Sequence, residues 1–343
     1  MHRNSIFAYI LSHNMGNLDY LSSDIKKSLL EGKTYNDVCN LITEELGIND
    51  QVVQTSHEIM EKIEQDIRLQ YKQYFANVPG VSYIDSLITH IVFGKTLTIK
   101  YRYINYRDKS FSNRYDKEIM VLPNDFNLQT KTLRLTIKAI SGRINIHTYA
   151  DTIQHEIEHY FQEDKIGYSF SNKMWYKIAQ KCKQRPKNSL VYMLGDMIYI
   201  TLKCEEEAFT NGLYSSLTYN YTHEKLPTVE IINDSPVYNA LLTLRKERDE
   251  VNKYLDDQSL QKTLSTIKTA TGKDFEQLME IINKGENELI KRIGRVIVKA
   301  QKDCDITNDM WANNDSRNTY TKESVQKLYS LDKPIKSNAL YVI

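Results

Sequence analysis

Long hydrophobic runs are absent from this 343-residue sequence. A membrane-spanning helix needs roughly 20 consecutive apolar residues, whereas the apolar run near the N-terminus covers only residues 6–11. That run also lacks the longer apolar core and the small-residue cleavage site of a secretory signal peptide. We therefore expect no membrane partner, and we predict that the protein is cytoplasmic.

An excess of charge of one sign is also absent, because 45 lysine and arginine residues face 44 aspartate and glutamate residues. Sequence-independent binding to nucleic acid depends on a strongly basic surface, so no nucleic-acid partner is expected. Cysteine is scarce, and its four positions form no C-x-x-C pair: Cys39, Cys182, Cys204 and Cys304. Such spacing indicates reduced thiols and argues against a disulfide-stabilised secreted protein.

Glycine and proline are few, at 12 and 6 residues, which favours a helix-rich protein. Hydrophobic periodicity divides the chain into a helical N-terminal region (1–80), a central region (81–225) and a helical C-terminal region (226–343). Within the central region, alternating residues predict a small mixed or antiparallel sheet, and the chain that follows is predicted to be largely helical. The predicted fold class is therefore α+β.

The individual elements follow from two sequence periods, about 3.6 residues for helices and 2 for strands. The longer period predicts helices over residues 35–46 (capped by Thr34), 52–75, 151–163, 173–183, 189–201, 203–217, 237–255 and 274–302. Alternation predicts strands over residues 96–103, 132–137 and 143–147, and the polar segment 107–117 is predicted to be a loop.

One segment of the chain has a spacing typical of metal sites, His155-Glu156-Ile157-Glu158-His159. On a helix, residues four apart lie one turn apart on the same face, so both imidazoles can reach a single ion. Glu156 lies beside them, where its carboxylate can meet a water molecule bound to that ion. Apolar residues occupy the opposite side of this predicted helix: Ile153, Ile157, Tyr160 and Phe161. One face should therefore pack into the core, and the other should border a cleft.

A catalytic zinc ion usually takes three protein ligands and keeps one position open for water. The best source of a third ligand is the run Glu205-Glu206-Glu207 in a later predicted helix. Glu205 shares its helical face with the small residues Ala208 and Gly212, which would let this helix approach the histidine helix closely. We therefore favour Glu205, whereas Glu206 and Glu207 are more typical of a solvated face.

Asp196 is a second candidate, because it lies between apolar neighbours in the segment 194–199. A buried aspartate needs a partner. It could replace Glu205 as the third ligand, or it could orient a ligand histidine through the other ring nitrogen. A packing or helix-terminus role fits the sequence equally well, so the alternatives stay open at this point.

A family resemblance can be named on these residues. The segment 152–161 resembles the active-site helix of the zincin metallopeptidases, and residues 205–208 resemble the glutamate-x-x-small-residue signature of the gluzincin branch. The resemblance implies that His155, His159 and Glu205 bind Zn²⁺. It also implies that Glu156 is the general base when zinc-activated water hydrolyses a peptide or protein substrate.

The same resemblance implies a zincin-like fold for the central region, with residues 143–147 as the edge strand along the substrate cleft. It covers only residues 141–217, and two positions depart from the family pattern. Glu158 stands at a motif position that is usually uncharged, and Phe209 stands where the thermolysin-like branch carries an aspartate. A divergent, gluzincin-like member is therefore implied.

Several questions are open at the level of sequence. The same ion and base would also suit a non-peptide amide, and a non-catalytic protein could keep the zincin fold as a binding module. A further donor to the oxyanion of the reaction often helps. The candidates downstream of the ligand helices are Tyr168, Tyr214 and His223, although a structural role fits each of them better. Three further aromatic residues are interpreted as packing residues: Trp175, Tyr176 and Trp311. The oligomeric state is left open.

Overall fold

The computed structural model describes residues 41, 46–48, 50–70, 81–92, 94–106, 125–127, 130–140, 143–144, 146–164, 170–223 and 228–304. The strands of this part of the chain are β1 (Val81–Val92), β2 (Lys95–Tyr106), β3 (Asp125–Asn127), β4 (Thr132–Ile140) and β5 (Arg143–Ile144). Its helices are α1 (Asp50–Gln70), α2 (Ile146–Asp164), α3 (Phe170–Lys183), α4 (Leu190–Ile200), α5 (Lys203–His223), α6 (Thr228–Asp234), α7 (Pro236–Lys253), α8 (Gln258–Thr271) and α9 (Phe275–Asp303). Among these described helices, none combines the length and apolar character needed to cross a bilayer.

The chain divides into two compact units, one formed by Met1–Ile48 with Ile290–Ile343 and the other by Asn49–Leu289. In the first unit, the Arg292 guanidinium donates a hydrogen bond of 2.7 Å to the carbonyl oxygen of Leu46. The second unit contains the whole sheet and helices α1–α8. The division of the sequence at residues 80 and 225 stays a prediction.

The sheet is mixed. β2 and β4 run parallel at its centre, and β1 pairs with β2 as an antiparallel hairpin. The hairpin turn includes Gly94 at φ 75°, a left-handed conformation that glycine adopts without steric cost. β3 and β5 are short antiparallel partners of the two ends of β4. A small mixed sheet with a mostly helical remainder is the fold class that the sequence predicted.

One face of the sheet forms the main apolar core. Alternate residues of β4 have no exposed surface: Leu133, Leu135, Ile137 and Ala139. Helices α1 and α2 contribute to the same cluster through Ile59, Met60, Ile63 and Ile67 of α1 and through Ala150, Ile153 and Ile157 of α2. The apolar side of the histidine helix therefore packs into the core, as predicted, and its other side is left for a different neighbour.

Most predicted elements are confirmed in type. The described helices α1–α5, α7 and α9 and the strands β2 and β4 all match predicted segments. Thr34, most of the predicted helix 35–46, residues 71–75 and the predicted loop 107–117 lie outside the described residues.

The predicted strand 143–147 is wrong after its first two residues. β5 contains only Arg143–Ile144, and α2 already begins at Ile146, so His147 belongs to a helix. An alternation of only five residues does not separate a strand from a helix. The edge-strand role that the resemblance implies for this segment therefore does not extend to residues 146 and 147.

Tyr149 explains why the chain turns into a helix at this point. Its hydroxyl accepts a hydrogen bond of 2.5 Å from the backbone N–H of Lys138, which fastens the first turn of α2 to β4. Tyr149 and its neighbour Ala150 are buried, and with Ile153 and Ile157 they continue the helical spacing toward the start of α2.

Candidate metal centre

Helices α2 and α5 pack closely against each other. The approach depends on small residues of α5, as the sequence predicts. Ala208 has no exposed surface. A Cβ atom added to Gly212 would lie 2.8 Å from the carbonyl oxygen of Asp151 and would overlap its carboxylate. Any side chain at position 212 would therefore push the two helices apart.

Three side chains converge between these helices. His155 and His159 of α2 bring their Nε2 atoms to 3.2 Å from each other. The carboxylate of Glu205 spans both, with Oε2 3.5 Å from His155 Nε2 and Oε1 3.5 Å from His159 Nε2. One ligand atom from each residue lies within 4.8 Å of the others, which suits a single ion with bonds of about 2.0–2.2 Å.

A residue that sequence reasoning missed, Gln162, holds His159 in place. Its Oε1 lies 3.0 Å from His159 Nδ1, and its Nε2 donates a hydrogen bond of 2.9 Å to the backbone carbonyl of Cys204. Since the amide oxygen can only accept, Nδ1 of His159 carries a proton, and Nε2 is the ring nitrogen that faces the centre of the cluster and is available to an ion. Gln162 therefore joins the two helices and orients one imidazole.

The electrostatics of the cluster favour a cation. Burial alone would raise the pKa of Glu205, but the charge of His159 and the close approach of both imidazoles hold it well below its ordinary value. Burial likewise disfavours a charged His159, yet the charge of Glu205 and its hydrogen bond raise the pKa of His159 to about 9. A positive charge is thus stabilised at the point where the three side chains meet.

Two of the three side chains of the cluster reach the protein surface. The side chain of His155 is 12% exposed and that of His159 is 22% exposed, whereas that of Glu205 is 2% exposed. Glu156 is half-buried, and its charge raises the pKa of both His159 and Tyr199. The carboxylate of Glu156 therefore lies near the cluster, where sequence reasoning puts the general base.

Tyr199 at the end of α4 is a second neighbour that sequence reasoning missed. Burial, the charge of Glu205 and a hydrogen bond with it raise the pKa of Tyr199 well above its ordinary value. The sequence offers one clue to this neighbour. The connection between α4 and α5 is short, so Tyr199 and Glu205 are close along the chain. Lys183 Nζ lies 4.0 Å from the centroid of the Tyr199 ring, so a cation–π contact stabilises the position of the ring.

Asp196 does not belong to the cluster. Its carboxylate forms an ion pair with Lys183 at 2.6 Å, and the group of convergent ligands includes Glu205 instead. The prediction that Asp196 is the third ligand is therefore wrong, and so is the alternative that Asp196 orients a ligand histidine. Asp196 reaches the site only indirectly, because it holds the lysine that packs on Tyr199.

The other candidates lie away from the cluster. Glu207 lies 4.0 Å from Lys203 on its own helix, and Glu206 lines a hollow with Trp175 and is not among the convergent ligands. At about 1.5 Å of rise per residue, Tyr214 and His223 lie far along α5 from Glu205, so neither can donate to an oxyanion there. Tyr168 and Trp311 lie outside the described residues.

Comparisons with protein-family models, with curated proteins and with solved structures find no match to this chain. Any function assigned to this protein therefore has to be inferred from the geometry and chemistry of the cluster itself.

Proposed function

We propose that this protein is a zinc-dependent metallopeptidase with a zincin-like, gluzincin-type catalytic core. The observation that carries the proposal is the convergence of His155, His159 and Glu205 around one point, with Glu156 nearby. The proposal includes a peptide or protein substrate and a cytoplasmic location. Free thiols at Cys182, Cys204 and Cys304 support the location, since reduced cysteines are typical of the cytosol.

The donor set fits zinc better than other common ions. Two imidazole nitrogens and one carboxylate oxygen are the ligands of many catalytic zinc sites, which keep a fourth position for water. Magnesium and calcium prefer sites made of oxygen ligands alone. Among the described residues, Oε2 of Glu205 and Nδ1 of His155 have no hydrogen-bond partner although both atoms are buried. Unpaired buried polar groups are unusual in native proteins, and these two fit a site that binds an ion.

The mechanism assigns each residue a separate task. When bound, zinc would polarise the scissile carbonyl and make a water molecule acidic near neutral pH. Glu156 would accept the proton of the attacking water and deliver it to the leaving amine. Gln162 would keep His159 in the tautomer that exposes Nε2.

Tyr199 is a better candidate for an additional donor than the tyrosines proposed from sequence. Burial and the charge of Glu205 raise the pKa of Tyr199, which keeps its hydroxyl protonated and able to donate. A donor of this kind stabilises the oxyanion that develops as water attacks an amide carbonyl.

The test is cleavage of a peptide library by the purified protein before and after treatment with a chelator. We expect chelation to abolish cleavage and added zinc to restore it. Glu156→Gln should lower kcat by about 10²–10⁴-fold, the usual range for general acid–base catalysis, while the variant keeps its zinc. Glu207→Gln is the matched control, because it changes a half-exposed glutamate of α5 that pairs with Lys203.

Other outcomes identify the alternatives. Zinc binding with cleavage of small amides but of no peptide would indicate a hydrolase of non-peptide substrates. Zinc binding without any cleavage would indicate a binding module. Equal cleavage by wild type and Glu156→Gln would remove Glu156 from the role of general base.

A further inference from the structure

Two buried polar groups of α2 stand side by side without partners. Asp151 has no exposed surface, and within the described part of the chain neither of its carboxylate oxygens has a hydrogen-bond partner. Nδ1 of His155 is likewise buried and unpartnered. Asp151 precedes His155 by four residues, so their Cβ atoms lie about 5–6 Å apart on one helical face.

The two groups are chemically complementary. An ionised carboxylate only accepts hydrogen bonds, and a histidine that binds a metal through Nε2 carries its proton on Nδ1. Metal-bound histidines almost always donate that proton to an acceptor. His159 has Gln162 for this purpose, whereas the acceptor for His155 has to come from another residue.

The neighbours of His155 narrow the choice of acceptor. On the α5 side its ring packs against Phe209, with ring centroids 4.6 Å apart, and that neighbour is apolar. Helical side chains lean toward the N-terminus, which tilts His155 toward Asp151. The missing side chain of Gly212 leaves the space that the carboxylate of Asp151 occupies.

The geometry points to Asp151 as a positioning residue of the metal centre, whose carboxylate accepts the Nδ1–H of His155 when Nε2 binds the ion. This inference rests on the proposed function, because it concerns the metal-bound form. In that form both unpartnered groups are satisfied by each other. The hydrogen bond orients the imidazole and fixes its tautomer, as Gln162 does for His159.

The cost of the metal-free arrangement agrees with such a role. An unpartnered buried polar group destabilises the folded state, and neither oxygen of the Asp151 carboxylate has a partner among the described residues. A purely structural aspartate would be expected to have a partner in the folded chain.

The experiment measures zinc affinity by competition with a chromophoric chelator for wild type, Asp151→Ala and Asp151→Asn. Loss of an outer-shell partner typically weakens metal binding by about 10–100-fold, and we expect this for Asp151→Ala. Asp151→Asn should lose less, because its amide oxygen can still accept the hydrogen bond. Glu247→Gln is the control, since Glu247 is also buried and one of its oxygens has no partner within the described ranges. The zinc affinity of this variant should equal that of wild type.

A second measurement does not depend on the alanine variant being folded. In the zinc-loaded wild type, the imidazole N–H proton of His155 should give a slowly exchanging NMR signal, and Asp151→Asn should shift that signal. Unchanged zinc affinity in the folded variants, together with an unshifted signal in Asp151→Asn, would overturn the inference and leave the proposed function intact. A wild type that binds no zinc would overturn both.

Discussion

Two buried glutamates of this protein bind their neighbours in opposite ways. Glu286 of α9 accepts hydrogen bonds of 2.5 Å from both Arg245 and Arg248 of α7, so each of its oxygens meets a permanent cation. Glu205 of α5 lies 3.5 Å from each of two imidazoles, and its Oε2 has no hydrogen-bond partner among the residues that the structure describes. The first carboxylate is saturated, whereas the second is held near groups whose lone pairs can point to a common centre.

The difference separates a structural ion pair from a candidate binding site. Arginine is charged at every physiological pH and forms short, directional hydrogen bonds with a carboxylate. Imidazole can be neutral, and its bare nitrogen is a metal ligand. A buried carboxylate between two imidazoles, which can exchange a proton for a metal ion, is therefore a candidate place for a bound cation.

The largest effect is expected from a substitution of Glu205, which should weaken zinc binding. Glu205→Gln removes the only carboxylate of the ligand cluster. We expect zinc affinity to fall by more than the about 10–100-fold typical of outer-shell partners, because a direct ligand is lost, and we expect peptide cleavage to fall with it. Chelator competition measures the affinity. An unchanged affinity would mean that Glu205 is only another structural glutamate.

The second largest effect is expected from a substitution of Glu286, which should lower the stability of the fold. Glu286→Gln leaves Arg245 and Arg248 without a countercharge, and both are only about a quarter exposed. Loss of hydrogen bonds to charged groups should reduce the free energy of unfolding by about 1–3 kcal/mol, measured by denaturant titration, with no change in zinc affinity. A loss of zinc binding in this variant would contradict the division between the two glutamates.

A third buried glutamate, Glu247, allows a smaller test. Burial and the charge of Asp196 raise the pKa of Glu247 to about 8. Because the pKa of Glu247 is higher in the folded protein than in the unfolded chain, the folded state holds this proton more tightly. The contribution of Glu247 to the free energy of unfolding is therefore fully present below about pH 4.5 and is lost as pH rises toward 8. Glu247→Gln should therefore melt like wild type near pH 4 and a few °C above it near pH 8.

The control for that measurement is Asp249→Asn, which removes an exposed carboxyl from the same helix. Its melting temperature should follow that of wild type at every pH. A difference between Glu247→Gln and wild type that is the same at pH 4 and pH 8 would show that titration of Glu247 is not its cause.

The convergence of the ligands follows largely from local helical geometry. The spacing of His155 and His159 places both on one face of a helix, and the small residues Ala208 and Gly212 mark the face of α5 that meets it. Gln162 was not predictable in the same way, because its second partner is a backbone carbonyl at Cys204 on another helix. The short connection between α4 and α5 places Tyr199 near Glu205 along the chain, but the sequence does not show that the tyrosine is buried there.

The helices and strands could be predicted where the apolar residues follow either the helical or the strand period clearly. They were missed where neither period dominates. β1 was missed because its apolar residues lie on both faces: Ile84 and Val92 are buried, whereas Leu87 and Ile91 are exposed. Such a strand does not alternate in sequence.

Helix α8 was missed for a different reason, although its end signals are present. Asp257 caps the first turn by accepting the N–H of Leu260, and Gly272 ends the helix at φ 72°. Only Leu260 and Ile267 are buried, so the apolar stripe was too sparse to be noticed. Asp257 and Gly272 were the sequence signals that marked the two ends of this helix.

The most direct test of the central claim is the zinc content of the purified protein, measured after equilibration with zinc and removal of the unbound metal. The account predicts about one zinc ion per chain in the wild type and almost none in a folded variant that combines His155→Ala with His159→Ala. A folded wild type that retains no zinc, or a double variant that retains as much as wild type, would contradict it.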